Sequence, residues 1–305
     1  MAEKKELVSR LPLSKLKNNF FLGTGFNSLN DNLEFIKYSI EYDFKTFLIM
    51  PPAYYKYGDK EVIEFYSKIV EVISDCEIVL YNFEKLCGYK FSIECIEELV
   101  KKYPKNIIGV KDSSYNLFEN LKIDNFSVLP GSESKLFKGL QLGCSGIITA
   151  TCNATSMLAR KVYDDFNDGK DQTVNQNLCD VRAKFEKYNL ISGLHTFCSQ
   201  ENEIYKNVLP PLSILNQSDQ KNLISYMNKL NDYFVKNMNE GKSQDSINYL
   251  KSRNLEGMDI KEFKIGFAEK NESDTLKFMN TLGISKNELK NLGLLSDKGL
   301  SLIHI

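Results

Sequence analysis

The sequence predicts an α/β fold built on a parallel sheet, and three observations support that prediction. Short apolar segments rich in β-branched and aromatic residues alternate with segments of helical periodicity. Nearly every apolar segment is hydrophobic along its length, as in strands covered on both faces. Each ends in small or polar residues, the position at which parallel strands carry active sites. The six predicted strands are residues 20–25, 46–50, 77–82, 107–112, 126–131 and 146–151.

Amphipathic helices of ordinary length are predicted between these strands and after the last one, over residues 59–72, 92–102, 134–142 and 156–166. Evenly spaced βα units fit either a (β/α)8 barrel or an open doubly wound sheet. No G-x-G-x-x-G turn follows the first strand, so dinucleotide binding is not favoured. Residues 204–230 keep an apolar helical pattern around Pro210-Pro211, and residues 231–298 predict a second, helical module with glycine breaks.

Composition and charge argue against several classes of protein. The 305 residues include 39 Lys and Arg against 40 Asp and Glu, so the net charge of −1 gives no overall basic field for nucleic acid or an anionic membrane. No apolar stretch is long enough to span a bilayer, and the first residues are charged, so we expect a cytoplasmic protein without a membrane partner. Seven cysteines without C-x2-C spacing and only two histidines, His195 and His304, predict free thiols and no metal site.

Lys111 is the most informative residue, because a lysine directly after the apolar residues 107–110 of a predicted buried strand would have to bury its ammonium group. Burial of a charged amine is costly, and desolvation lowers its pKa toward the neutral form that attacks a ketone carbon. The sequence therefore predicts a Schiff-base nucleophile. The alternative is a lysine at the end of a strand that points to solvent or pairs with Asp112.

Tyr81 ends another predicted strand, where a phenol beside the amine would shuttle protons. The alternative is a core ring with its hydroxyl at the edge. Tyr54 and Tyr55 carry the same ambiguity, and Pro51-Pro52 ahead of them predicts an extended loop at the same edge of the sheet.

Four motifs resemble the dihydrodipicolinate synthase/N-acetylneuraminate lyase family over residues 1 to about 228. They are Leu80-Tyr81-Asn82 followed by Gly88, Gly109-Val110-Lys111-Asp112-Ser113-Ser114, Leu129-Pro130-Gly131-Ser132-Glu133 and Gly143-Cys144-Ser145-Gly146-Ile147-Ile148. Leu209-Pro210-Pro211-Leu212 resembles part of the family's C-terminal helical region.

This resemblance implies a TIM barrel and a class I aldolase or lyase that needs no metal or organic cofactor. Lys111 would condense with pyruvate or a related 2-oxo acid, and Tyr81 would relay protons. Family members are usually homotetramers, in which a tyrosine matching Tyr55 reaches across a dimer interface to complete the relay. Gly131 and Ile148 match positions that line the substrate pocket.

Three departures from the family pattern bear on activity. Leu86 stands where dihydrodipicolinate synthases place an arginine for the second substrate, which favours a different 2-oxo acid aldolase, and Glu84 replaces a proline. The family's Gly-Thr-Thr-Gly-Glu loop, which holds the pyruvate carboxylate, is absent. Residues 1–8 resemble the helix after that loop, so we expect an incomplete barrel of about six strands that lacks the first two βα units, with impaired activity.

The C-terminal part carries a separate resemblance, over residues 232–298, to the start of the catalytic core of bacterial DNA primase. The primase's metal-binding acidic centre is not included, so polymerase activity is not implied, and nucleic acid is expected as a partner only if this module functions. A helical appendage of the aldolase is the alternative. Residues 300–305 back-translate into a sequencing adaptor end, which favours a processing scar over a terminal strand. An artefactual or degenerate fusion without aldolase activity is the rival explanation of the whole chain.

Overall fold

The computed structural model describes residues 1–11, 20–225 and 228, and the chain divides into two compact units, Met1–Thr149 and Ala150–Ile305. The predicted helical module at 232–298 and the predicted scar at 300–305 lie outside the described residues, so both stay predictions. No helix among the described residues is both long enough and apolar enough to cross a membrane.

Five parallel strands form the sheet of the first unit, in the order in which they occur along the chain. They are β1 (Phe21–Gly23), β2 (Thr46–Ile49), β3 (Glu77–Asn82), β4 (Ile107–Asp112) and β5 (Ser127–Pro130). The helices are α1 (Ala2–Arg10), α2 (Leu29–Ile40), α3 (Asp59–Val72), α4 (Glu84–Cys87), α5 (Ile93–Lys102) and α6 (Leu136–Gln141). A 3-10 turn, Glu133–Lys135, precedes α6.

The sequential strand order decides between the two architectures that the sequence left open. A doubly wound sheet reverses its strand order at a switch point and carries helices on both faces. Here every strand pairs with the next one along the chain, and α2, α3 and α5 pack in succession against one another. One-directional winding with the helices on one face is the arrangement of consecutive βα units of a (β/α)8 barrel.

The predicted sixth strand, residues 146–151, is wrong as a regular strand. The segment stays beside β5 through two backbone hydrogen bonds, from Ser145 N to Val128 O (3.0 Å) and from Ile148 N to Pro130 O (3.2 Å). Gly146 interrupts the strand conformation between them, because its φ of +145° is one that strand residues do not adopt. The described residues thus contain five regular strands, not six, of an incomplete barrel.

Alternation along the strands separates the hydrophobic core from the opposite face of the sheet. Phe47, Ile49, Ile78 and Leu80 join the helices in one buried cluster, and the Tyr66 hydroxyl of α3 donates to Ile49 O (2.8 Å). The neighbours of these residues along β2 and β3, among them Leu48, Val79 and Tyr81, therefore face the other way. Lys111 does the same in β4, because it follows Val110 of the same cluster. This is the side that becomes the interior of a barrel.

Helices make up the second unit over the part that the structure describes. They are α7 (Cys152–Asn167), α8 (Asn175–Phe185) and α9 (Leu190–Cys198), a 3-10 helix, Glu203–Lys206, and a helical stretch over 217–225. Val181, Phe185, Leu194, Leu215 and Leu223 form their common core. Among the described residues, the apolar pattern that begins at residue 204 is thus divided into two helical elements on either side of the Pro210-Pro211 turn.

A fully buried carboxylate joins the carboxyl ends of β3 and β4. Asp112 Oδ1 accepts from Asn82 Nδ2 (2.8 Å) and from Tyr115 N (2.9 Å). Its Oδ2 accepts from the backbone amides of Leu117 (2.9 Å) and Phe118 (3.0 Å). Asn82, also fully buried, accepts in turn from Phe91 N (3.1 Å). These bonds fix the loop after β4 and hold the two strand ends together.

Replacement of Asp112 by Asn is expected to lower the free energy of unfolding by about 2–4 kcal/mol, because an NH2 group would then face buried N–H donors. Asp124→Asn, at an exposed position after the same loop, is the matched control and is expected to be neutral. Urea unfolding followed by far-ultraviolet circular dichroism measures both, and equal midpoints for the two variants would contradict the assignment.

Gly109→Ala is expected to destabilise the sheet by about 1–3 kcal/mol, because a Cβ at this position of β4 would lie 2.6 Å from the backbone oxygen of Ser127 in β5. Gly23→Ala in β1, where no atom lies within 4 Å of the added Cβ, is expected to be neutral or slightly stabilising. The same urea titration compares them, and a Gly109→Ala midpoint equal to that of the parent protein refutes the close approach.

Candidate active site

Lys111 and Tyr81 lie side by side on the face of the sheet opposite the helices. They are paired in the register between β4 and β3, and the Lys111 Nζ lies 4.0 Å from the centroid of the Tyr81 ring. Both side chains are half-buried. The ring quadrupole attracts the amine when it is protonated, and the contact places it beside the phenol.

The Tyr81 phenol is in a desolvated position. Burial raises its pKa, and a hydrogen bond with the Ser113 side chain partly offsets this by lowering it. Because the net direction is upward from an ordinary value near 10, the phenol keeps its proton at neutral pH. It is therefore able to act as a proton donor beside Lys111.

Asp112, the partner that the alternative interpretation gave to Lys111, directs its carboxylate to the Asn82 amide and three backbone amides. Adjacent residues of a strand point to opposite faces, so Asp112 faces the helices while Lys111 faces the interior. The buried acid thus braces the strand end that carries the amine.

Gly131 and Ile148 lie at the same carboxyl edge, Gly131 beside the end of β4 and Ile148 beside the end of β5. Gly131 N donates to Asp112 O (2.9 Å), and Ile148 N donates to Pro130 O (3.2 Å). A Cβ on Gly131 would lie 2.1 Å from Ser113 Oγ, so the glycine leaves room for that hydroxyl. The structure thus brings four of the predicted site residues to neighbouring strand ends.

Tyr55 is placed differently from these four. It lies on the loop after β2, 66% exposed, with its ring 5.4 Å from that of Tyr54 in a T-shaped pair. Tyr54 is 92% exposed and adopts φ = +85°, a conformation that is costly for a bulky residue. Leu86, on α4 after β3, is also more than half exposed.

Two polar residues of the site received no role in the sequence analysis. Ser113 follows Lys111 by two positions, and a period of two would have placed it on the same face. Glu133 is fully buried just beyond β5 and accepts a hydrogen bond from the Thr149 hydroxyl (2.8 Å). Glu133 belongs to the motif Leu129-Pro130-Gly131-Ser132-Glu133, but no pattern in the sequence indicates that its side chain is buried.

No group of three or more His, Cys, Asp or Glu side chains with the geometry to hold an ion occurs among residues 1–11, 20–225 and 228. All seven cysteines are free thiols, as their odd number and spacing predicted.

Comparison with known proteins identifies two regions. Residues 5–230 match the dihydrodipicolinate synthetase family, and residues 233–303 match the N-terminal domain of the DNA primase catalytic core. Both resemblances found in the sequence are thereby confirmed. The second region lies outside the described residues.

The curated relatives include aldolases and lyases. A 2-dehydro-3-deoxy-D-gluconate/2-dehydro-3-deoxy-phosphogluconate aldolase of Picrophilus torridus is 26% identical over 204 residues, which are 64% of this chain and 75% of the relative. An N-acetylneuraminate lyase of Pasteurella multocida is 28% identical over 174 residues, 55% of this chain and 58% of the relative. The chain thus spans little more than half of that lyase.

Solved structures agree on the fold. A dihydrodipicolinate synthase of Aquifex aeolicus matches with a TM-score of 0.68 at 18% identity, over 75% of this chain and 81% of that chain. At that identity the likeness shows the fold alone. Because the family match extends over most of the sequence and the strands wind as in these barrels, the chain belongs to the dihydrodipicolinate synthetase family.

Proposed function

We propose that this protein is a class I aldolase or lyase that forms a Schiff base between Lys111 and pyruvate or a related 2-oxo acid. The observation that carries the proposal is the Lys111 amine held 4.0 Å from the Tyr81 ring centroid, at the carboxyl edge of a barrel-type sheet. Active sites of such barrels lie at this edge. Relatives named aldolases and lyases support the same reaction class.

The chemistry needs a neutral amine and a proton shuttle. The Lys111 amine adds to the ketone carbon, and the resulting carbinolamine loses its hydroxyl as water after Tyr81 donates the phenol proton. The Tyr81 phenolate then removes a proton from C3 of the iminium. The electron pair of the broken C3–H bond forms the carbon–carbon double bond of the enamine. These steps restore the phenol and convert amine and 2-oxo acid into the enamine and one water, so atoms and charge balance with Lys111 as the only covalent group and no further cofactor.

The substrate would lie over Gly131 and Ile148, beside Lys111. Leu86 lacks the guanidinium that binds a carboxylate in a bidentate manner, so we favour an acceptor other than the one used by dihydrodipicolinate synthases. The free thiols are consistent with the reducing environment of the cytoplasm.

We assign to Tyr55 a role in a neighbouring subunit of a homo-oligomer. Its exposure, together with the exposure of Tyr54, leaves two aromatic rings projecting from the loop after β2. Exposed aromatic clusters are typical of interfaces. A tetramer, as expected from the family, would place this phenol at the relay of the adjacent copy.

Reductive trapping tests the nucleophile. Incubation of the protein with pyruvate and borohydride is expected to reduce the imine and leave a 1-carboxyethyl group on the Lys111 amine, which peptide mass spectrometry locates. Lys111→Met removes the amine and is expected to abolish the adduct. Lys135 lies in the turn after β5, and the control variant Lys135→Met is expected to keep the adduct on Lys111. An adduct on another lysine, or none in the parent protein, refutes the proposal.

Subunit complementation tests Tyr55. Tyr55→Phe is expected to slow exchange of the pyruvate methyl protons in deuterium oxide by at least about tenfold, and Tyr54→Phe is expected to leave it unchanged. Tyr55→Phe subunits are then mixed in equal amounts with inactive Lys111→Met subunits and reassembled. Half of the random dimers pair one subunit of each kind, and each such dimer has one complete site out of two. The mixture should therefore recover about a quarter of the parent rate. Exchange at the parent rate in the Tyr55→Phe protein alone argues against a role of Tyr55 in the neighbouring subunit. So does the absence of recovery in verified hetero-oligomers.

A further inference from the structure

We infer that the Ser113 hydroxyl is a positioning group of the proton relay, which holds the Tyr81 phenol and shares its proton. The inference rests on the proposed Schiff-base function and extends it to a residue of the same chain. Three features of the structure carry it: the face that Ser113 occupies, the space that Gly131 leaves for it, and its interaction with Tyr81.

The backbone places Ser113 on the reactive face. Ser113 N donates to Asn82 O (2.9 Å), which continues the pairing of β4 with β3 one step past the strand ends. Ser113 follows Lys111 by two residues, so both side chains lie on the same face of the pleat. Asp112, between them, faces the helices and is held by its four hydrogen bonds.

Gly131 creates the space for this hydroxyl. A Cβ on Gly131 would lie 2.1 Å from Ser113 Oγ, 2.9 Å from Ser113 Cβ and 3.0 Å from Ser113 Cα. The bond from Gly131 N to Asp112 O (2.9 Å) fixes this close approach. Glycine is therefore required at position 131, where the chain leaves β5 and passes the Ser113 side chain, and the hydroxyl lies between Gly131 and Tyr81.

The neighbouring serine is used for another purpose. Ser114 Oγ accepts a hydrogen bond from Glu84 N (2.9 Å), which fastens the loop after β4 to the start of α4. Ser113 and Ser114 are thus chemically identical and adjacent, but only Ser113 interacts with the phenol. This difference provides a matched control within the same loop.

The chemistry gives Ser113 a definite task. When Tyr81 has protonated the departing hydroxyl, a phenolate remains in a desolvated site, and a hydroxyl donor stabilises that charge. When the phenolate takes the C3 proton, the C3–H bond breaks, a phenol O–H bond forms, and the Ser113 oxygen accepts from the regenerated phenol. Loss of the hydroxyl should therefore affect proton transfer more than imine formation.

The test compares Ser113→Ala with Ser114→Ala in two assays on the full chain. Ser113→Ala is expected to keep the borohydride-trapped pyruvate adduct on Lys111. Its exchange of pyruvate methyl protons in deuterium oxide is expected to fall at least about tenfold. Its rate-pH profile should move to higher pH, since the hydrogen bond that lowers the pKa of Tyr81 is gone. Ser114→Ala should keep the parent rate and profile.

The pair Ser113→Thr and Ser113→Val distinguishes chemistry from packing. The two side chains are nearly isosteric, so only the threonine variant should retain exchange. Exchange in Ser113→Ala and Ser113→Val at the parent rate and pH profile would overturn the role of Ser113 while the trapped adduct still supported the aldolase. No adduct in the parent protein would overturn both proposals.

Discussion

The hydrogen bond between the Asn82 amide and the Asp112 carboxylate is the interaction on which the proposed site depends. Both residues are fully buried, and a buried carboxylate is tolerated only if donors replace its hydration. Three backbone amides of the following loop and the Asn82 amide supply them. The carboxyl ends of β3 and β4 are therefore held at one register, and that register places Tyr81 beside Lys111.

Along each strand, the residues that form the hydrophobic core alternate with the residues that face the proposed site. Side chains at alternate positions enter the helix-covered core, and the residues between them carry the amine and the phenol on the other face. Asp112 and Lys111 illustrate the division, since the acid braces the strand end and its neighbour carries the candidate nucleophile on the other face. A substitution of Asn82 or Asp112 should thus affect folding and the geometry of the site together.

Close backbone approaches complete the arrangement at β5. Gly109 lies against Ser127, and Gly131 lies against Ser113, so in both places a glycine lets neighbouring segments come nearer than a Cβ permits. The second contact matters for function in our proposal, because it confines the serine hydroxyl against the relay tyrosine. Tyr55, in contrast, lies on an exposed loop, and the role that we propose for it requires a second copy of the chain.

The sequence by itself determined the parallel α/β class, the family, and the candidate nucleophile and phenol, because apolar periodicity and the Lys111 and Tyr81 motifs are local signals. Tertiary structure decided the rest. The strand order favoured a barrel over a doubly wound sheet, since pairing partners are non-local. Gly146 ended the regular sheet at five strands among the described residues. The burial of Glu133, the fourfold bonding of Asp112 and the place of Ser113 against Gly131 depend on contacts between segments far apart in the chain, which no local pattern records.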